Sequence, residues 1–350
     1  MKLLDKTIQE IHPIDPRWID SASQRQLELT KPPGSLGRLE DVANRCAAIR
    51  ETFELAANRP RIVLFAADHG VCAEGVSAYP QEVTAQMVLN FLRGGAAINA
   101  FARSGGIELK VVDVGVATPL PLSSDLINRR VAPGTRNFCE APAMTESEMT
   151  AALETGVELA CDSAMAGCDL LGFGEMGIGN TTSASAIAAA LTHEPIAAVV
   201  GCGAGADDAC MARKRSAIER ALTRHADCLG DPLGILRCVG GLEIAAMCGF
   251  CIGAAARRVP VVMDGFIATA AAALAVCLCP ASSRYLFASH RSEEPGHAHF
   301  LAMLEQEPLL HLGMRLGEGT GAALAMKLIQ SAVAAFTGMA TFATAGVSNK

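Results

Sequence analysis

From about residue 60 the chain repeats one pattern: a short β-branched apolar run, then glycine or an acid, then an Ala-rich stretch with helical spacing. That alternation predicts successive βαβ units. Strands are expected at RIVLFAAD from Arg61, LKVVDVG from Leu109, CDLLGFG from Cys168, IAAVVGCG from Ile196, VPVVMDG from Val259 and RYLFASH from Arg284. Each run is continuously apolar instead of alternating, as strands covered on both faces of a parallel sheet should be. Helical spacing predicts helices over roughly 81–101, 146–166, 182–191, 207–228, 234–256 and 266–278.

The two ends of the chain differ from its middle. Residues 1–55 and 296–350 show helical periodicity without a convincing strand, so a small helical domain built from both ends is expected beside a large α/β domain over 56–295 that carries the active site. The fold class is therefore α/β, a Rossmann-like, mostly parallel sheet flanked by helices. In such a sheet, ligands bind beyond the carboxyl ends of the strands, where loops diverge and helix N-termini point into the gap. Polar residues gather at those ends: Asp68 to Gly70, Asp113 and Gly115, Gly174 to Asn180, Gly201 to Gly205, Asp264 and Gly265, and Ser289 to Arg291. One cleft is expected to collect them.

Composition narrows the function. With 51% hydrophobic residues, 19% charged and 4% aromatic, the 350-residue chain reads as a globular protein able to bury its own core without disulfides. A net charge of -7, two Tyr and one Trp offer neither a basic field nor stacking platforms, which argues against nucleic acid. The N-terminus lacks the apolar core of a secretory signal, and the most apolar stretch, Gly265 to Cys279, is short for a bilayer span. A cytoplasmic protein with no stable membrane insertion is expected. The 13 Cys are scattered in apolar segments and read as reduced core residues. Cys248-x-x-Cys251 has no second pair at ligand spacing, and His69, His290, His297 and His299 are read as surface or loop residues, so no metal is expected.

Three segments carry candidate chemistry. In GFGEMGIGNTTS, the glycines from Gly172 to Gly179 permit a tight turn, and Asn180, Thr181, Thr182 and Ser183 can cap the next helix and offer donors to a phosphate. Gly172-x-Gly174-x-x-Gly177 also matches a dinucleotide fingerprint, but Glu175 would stand inside the pyrophosphate turn and repel it. GCGAGADD offers a second anion loop, with Asp207 as an N-cap and Lys214 either reaching back to the phosphate or lying on a solvated basic face. In RLGEGTG, Glu318 is either a capping acid or, if desolvated against the cleft, a general base near neutrality.

Taken with KPPGSLGRLE from Lys31, ADHGVCAEGVSAYPQEVT from Ala67, VMDGFIATAAAL from Val262 and SHRSEEPGH from Ser289, these segments resemble the nicotinate-nucleotide:dimethylbenzimidazole phosphoribosyltransferase family over about residues 30–330. The resemblance implies a homodimer and a reaction without a cofactor. Nicotinate mononucleotide would give its phosphoribosyl group to a benzimidazole-type base, forming α-ribazole 5′-phosphate for cobalamin assembly. It implies Glu318 as catalytic base, with Glu175, near the ribose, as a second catalytic residue that assists or orients. Phosphate and ribose would be held by Gly177, Gly179, Asn180, Thr181, Gly203, Lys214 and Ser292, and the aromatic base by Tyr79, Met87 and Met176. Two other readings of the same residues are a nicotinamide-dinucleotide dehydrogenase and a non-catalytic protein that binds a cobamide precursor.

Overall fold

Five of the six apolar runs pair edge to edge in the computed structural model, which describes residues 2–203, 205 and 207–348. The sheet comprises β1 (Pro60–Ala67), β2 (Glu108–Gly115), β3 (Leu126–Asn128), β4 (Leu170–Met176), β5 (Val261–Met263) and β6 (Leu286–Ala288). Its order is β3-β2-β1-β4-β5-β6, and every pair is parallel. The winding reverses between β1 and β4, as in a doubly wound Rossmann-like sheet.

The run from Ile196 is a correction to the sequence reading. It forms a short helix, Ile196–Val199, entered through Pro195, and not a strand. A short buried apolar run has no period that separates helix from strand, and two of its first three residues are alanine. The sixth strand is instead β3, three residues beside Val111–Asp113, too short and too exposed to leave an apolar signature. Two expected helices are each broken in two. The first divides into Val83–Leu92 and Ala97–Gly105 around Gly94, whose φ is 77°, and the second into Pro232–Val239 and Leu242–Ala256 around Gly240 and Gly241.

Alternation along β4 shows how both faces are covered. Phe173 turns its ring edge-on to Phe250 of the Leu242–Ala256 helix, 6.0 Å between centroids, whereas Gly172 and Gly174 face the other way, onto the Thr320–Gly338 helix. A Cβ on Gly172 would meet Met326 at 2.6 Å, and one on Gly174 would overlap the backbone of Glu318 and Gly319. These glycines let the start of that helix rest directly on the strand. Thr320–Gly338 is long and apolar enough to span a bilayer by length and composition, yet half of it is buried against the sheet as a core helix.

The two chain ends meet. Helices Pro16–Glu28 and Arg38–Arg50 pack on each other, the latter also on Thr320–Gly338, and Leu29 forms an antiparallel bridge with Thr341. Trp18, Phe53 and Phe336 stack edge-to-face at 5.5 and 5.7 Å. The apolar core runs without a break from Leu4 and Ile49 through the strands to Met326 and Phe336.

Candidate active site

A cavity of about 670 Å³ opens beyond the carboxyl ends of β4, β5 and β6. Ten expected site residues line it: Glu318, Glu175, Gly177, Asn180, Thr181, Gly203, Ser292, Tyr79, Met87 and Met176. Its wall therefore draws on the β4 turn, the loops after β5 and β6, the Val83–Leu92 helix and the segment 315–318. Tyr79 stands half exposed at the rim.

The floor is the turn from β4 into the helix Asn180–Thr192. Gly179 is its N-cap, left-handed at φ 94°, and gives the helix no side-chain cap; Asn180 N and Thr182 N instead donate to the Gly177 and Gly179 carbonyls at 3.1 and 3.0 Å, and what the turn offers an anion is the positive end of the helix. Gly179 does not line the cavity; it packs on Cys72 and His69 behind the turn. Lys214 also lies behind the wall, fully buried, its Nζ donating to Thr181 Oγ1 at 2.9 Å and to the Gly201 carbonyl at 3.2 Å. Burial pulls its ammonium below the ordinary lysine range. The solvated basic face is thus wrong for Lys214, while neighbouring Arg213 bonds the Gly75 carbonyl at 2.8 Å on the surface. Asp207 is the expected N-cap, accepting from Cys210 N at 2.7 Å. Ala204 and Ala206 of the same loop lie outside the described residues.

The opposite wall presents the carboxylates. Gly317, Glu318 and Gly319 have φ of 84°, 62° and 84°, three successive left-handed residues that turn the chain into the Thr320–Gly338 helix. For glutamate that backbone is strained, and the surroundings must hold it. Asp264 does so: Oδ2 accepts from Gly319 N at 3.0 Å, and Oδ1 from Gly321 N at 2.8 Å and Ala322 N at 3.0 Å. The Glu318 side chain projects into a mostly apolar wall with no partner for Oε2 among the described residues. Burial pushes its carboxyl up to about 7. Glu175 is buried too, takes a close hydrogen bond from Asn180 Nδ2, and is pushed up to about 8, first by burial and then by neighbouring acids.

Other parts of the sequence reading need correction. Not every strand end joins the cleft: Asp68 and Asp113 spend their carboxylates on the Ala117 and Val116 amides, both at 2.8 Å, and Arg291 lines a separate surface groove. His69, His290 and His297 are not surface residues; all three are buried. His69 Nε2 pairs with Glu243 at 2.6 Å beneath the β4 turn, and His297 bridges Thr269 Oγ1 and the Ser292 amide, each at 2.9 Å. The fingerprint glycines Gly172 and Gly174 sit inside β4 against the Thr320–Gly338 segment, so they form no pyrophosphate turn. Sequence reasoning overlooked Glu294 and Arg315 as cavity residues, and placed His290 at the cleft only as one of the polar residues after β6. Each stood in a quoted motif, but none had a spacing that assigned it chemistry.

Comparison with other proteins agrees with this geometry. A family model described as a phosphoribosyltransferase (DBI_PRT) matches residues 11–347. The nicotinate-nucleotide–dimethylbenzimidazole phosphoribosyltransferase of Chloroflexus aggregans is 53% identical over 350 residues, all of this chain and 99% of that one. Its namesake from Geobacter metallireducens is 50% identical over 347 residues, covering 99% of this chain and 98% of the other. Two solved structures from Thermus thermophilus, one of an enzyme of that name and one of CobT, superpose with TM-scores of 0.90 and 0.92 at 49% identity, covering 96% of this chain and 100% of each.

Proposed function

Because this chain belongs to the nicotinate-nucleotide–dimethylbenzimidazole phosphoribosyltransferase family and is itself a phosphoribosyltransferase, we propose that its cavity moves the 5-phosphoribosyl group of nicotinate mononucleotide onto a benzimidazole-type base. The product is α-ribazole 5′-phosphate, an intermediate of cobalamin assembly. The observation that carries this reading is the desolvated Glu318 carboxylate facing the uncapped helix start at Asn180 across one cavity.

In this reading the 5′-phosphate rests on the Gly177–Thr181 turn, where the positive end of the helix favours an anion, with Ser292 and the Gly203 loop beside it. Lys214 acts from behind, positioning Thr181 and the Gly201 carbonyl. The base lies between Tyr79, Met87 and Met176, which suit a dimethylated aromatic better than a polar purine. Its unprotonated ring nitrogen attacks the anomeric carbon as the bond to nicotinate breaks, and the bonding pair leaves on the pyridine nitrogen. The proton on the other azole nitrogen passes to Glu318, for which a carboxylate pushed up to about 7 is well matched. Glu175, held by Asn180, faces the ribose. We place the protein in the cytoplasm as a homodimer.

The test is direct. Purified protein, nicotinate mononucleotide and 5,6-dimethylbenzimidazole should yield nicotinate and ribazole phosphate by chromatography, with Glu318→Gln slower by about 10²- to 10⁴-fold. Wild-type protein that releases no nicotinate with any azole or phenol refutes the reading.

A further inference from the structure

Three residues that line the cavity each carry a buried acceptor atom with no hydrogen-bond partner among the described residues: Glu318 Oε2, Glu294 Oε2 and His290 Nε2. All three side chains are more than nine-tenths buried. A buried polar atom left unpaired costs stability, so each calls for a donor on the ligand.

The tautomer of His290 follows from its neighbours. Ser289 Oγ has one hydrogen, and it is directed to the Asp264 carbonyl at 3.1 Å. Its 2.9 Å contact with His290 Nδ1 must then be Nδ1–H donating to Oγ. The Asp264 carboxylate, 4.0 Å from Nδ1, lies on the same side and favours the same proton. With Nδ1 as the donor, the uncharged form of the ring carries its bare lone pair at Nε2, on the edge beside Gly265, itself a cavity residue. A bare lone pair repels phosphate and carboxylate oxygens and accepts from a hydroxyl.

The two substrates bring three donors between them: the azole N–H and the two ribose hydroxyls. Glu318 takes the first in the function proposed above, on which this step rests. We propose that His290 Nε2 is a substrate-binding acceptor for one of the vicinal ribose hydroxyls. His290 thereby selects a ribosyl over a deoxyribosyl donor and fixes the sugar relative to the phosphate turn.

Wild type, His290→Phe and His290→Gln should be compared on nicotinate mononucleotide and its 2′-deoxy and 3′-deoxy analogues. Loss of the contacted hydroxyl should cost wild type roughly 10- to 100-fold in kcat/KM. His290→Phe should treat that analogue and the parent alike, and His290→Gln, whose amide oxygen can reach the Nε2 position, should recover part of the discrimination. Should His290→Phe fail to fold, ¹⁵N-histidine spectra of wild type serve instead: the Nε2 resonance should move on adding the mononucleotide and stay put with the analogue that lacks the contacted hydroxyl. Equal use of all three donors by wild type, undiminished discrimination by a folded His290→Phe, or an unmoved resonance overturns the proposal while leaving the transferase reading intact. Wild type that neither binds nor turns over the parent mononucleotide overturns both.

Discussion

In the proposed function, a single carboxyl group sets the pH at which the cavity works. Glu318 must be ionised to take a proton, and burial pushes it up to about 7, so kcat/KM should fall as pH drops below about 7. Glu175, pushed up to about 8, remains protonated through that range. Glu175→Gln replaces one neutral group by another, and a pH–rate profile of that variant should keep its limb near 7; disappearance of the limb would move the base from Glu318 to Glu175. At this scale the sequence was readable where chemistry needs an unusual backbone. Two glycines around Glu318 announced a turn that no ordinary residue pair would make, and Asn180 beside a glycine run announced a helix start. His290 and Asp264 were less legible because their roles depend on partners from β5, β6 and the C-terminal segment, which only folding brings together.

Elements met their sequence expectations where local chemistry governs them. Thr145 and Glu148 form a capping box, with Glu148 N donating to Thr145 Oγ1 at 3.1 Å and Thr145 N to Glu148 Oε2 at 2.6 Å, and the helix starts at Glu146 as its pattern predicts. The Ile196 run failed because nothing local distinguishes its helix from a strand. At the start of Thr320–Gly338, two changes test how the element presents Glu318. Asp264→Asn puts an amide donor where Gly319 N or Gly321 N now finds an acceptor, and should cost about 1–3 kcal/mol by urea denaturation, with kcat falling more than KM rises. Gly174→Ala forces a methyl into the backbone of that turn. Its loss of activity should exceed any change in mononucleotide affinity measured by calorimetry, since the proposed phosphate turn lies beyond the strand end; equal losses in both would show that the strand itself had moved.

Across the whole molecule, the site acids oppose stability. Glu175 and Glu318 have folded pKa values raised above the ordinary 4.5, so their contribution is fully present below pH 4.5 and is lost as pH rises through about 7 and 8. Replacing both with Gln should raise Tm relative to wild type more at pH 8 than at pH 5; a pH-independent difference would refute the burial of these acids. His297, held neutral by burial and pushed down to about 3, acts oppositely, its contribution present above 6.5 and lost toward pH 3. The doubly wound sheet was legible as a rhythm of apolar runs, while the meeting of the two chain ends was only a soft expectation, because helical periodicity does not say which face finds which partner.

The route of the chain gives the site an order in time. In the proposed function, the turn that would hold the anion and the lysine behind it are encoded before residue 216, whereas the proposed base comes on a later segment, which also covers Gly172 and Ile62. A chain cut before residue 317 would keep the turn after β4 but lack both Glu318 and the Thr320–Gly338 helix that covers Gly172. Loss of that one segment would therefore uncover the strand and remove the proposed base together.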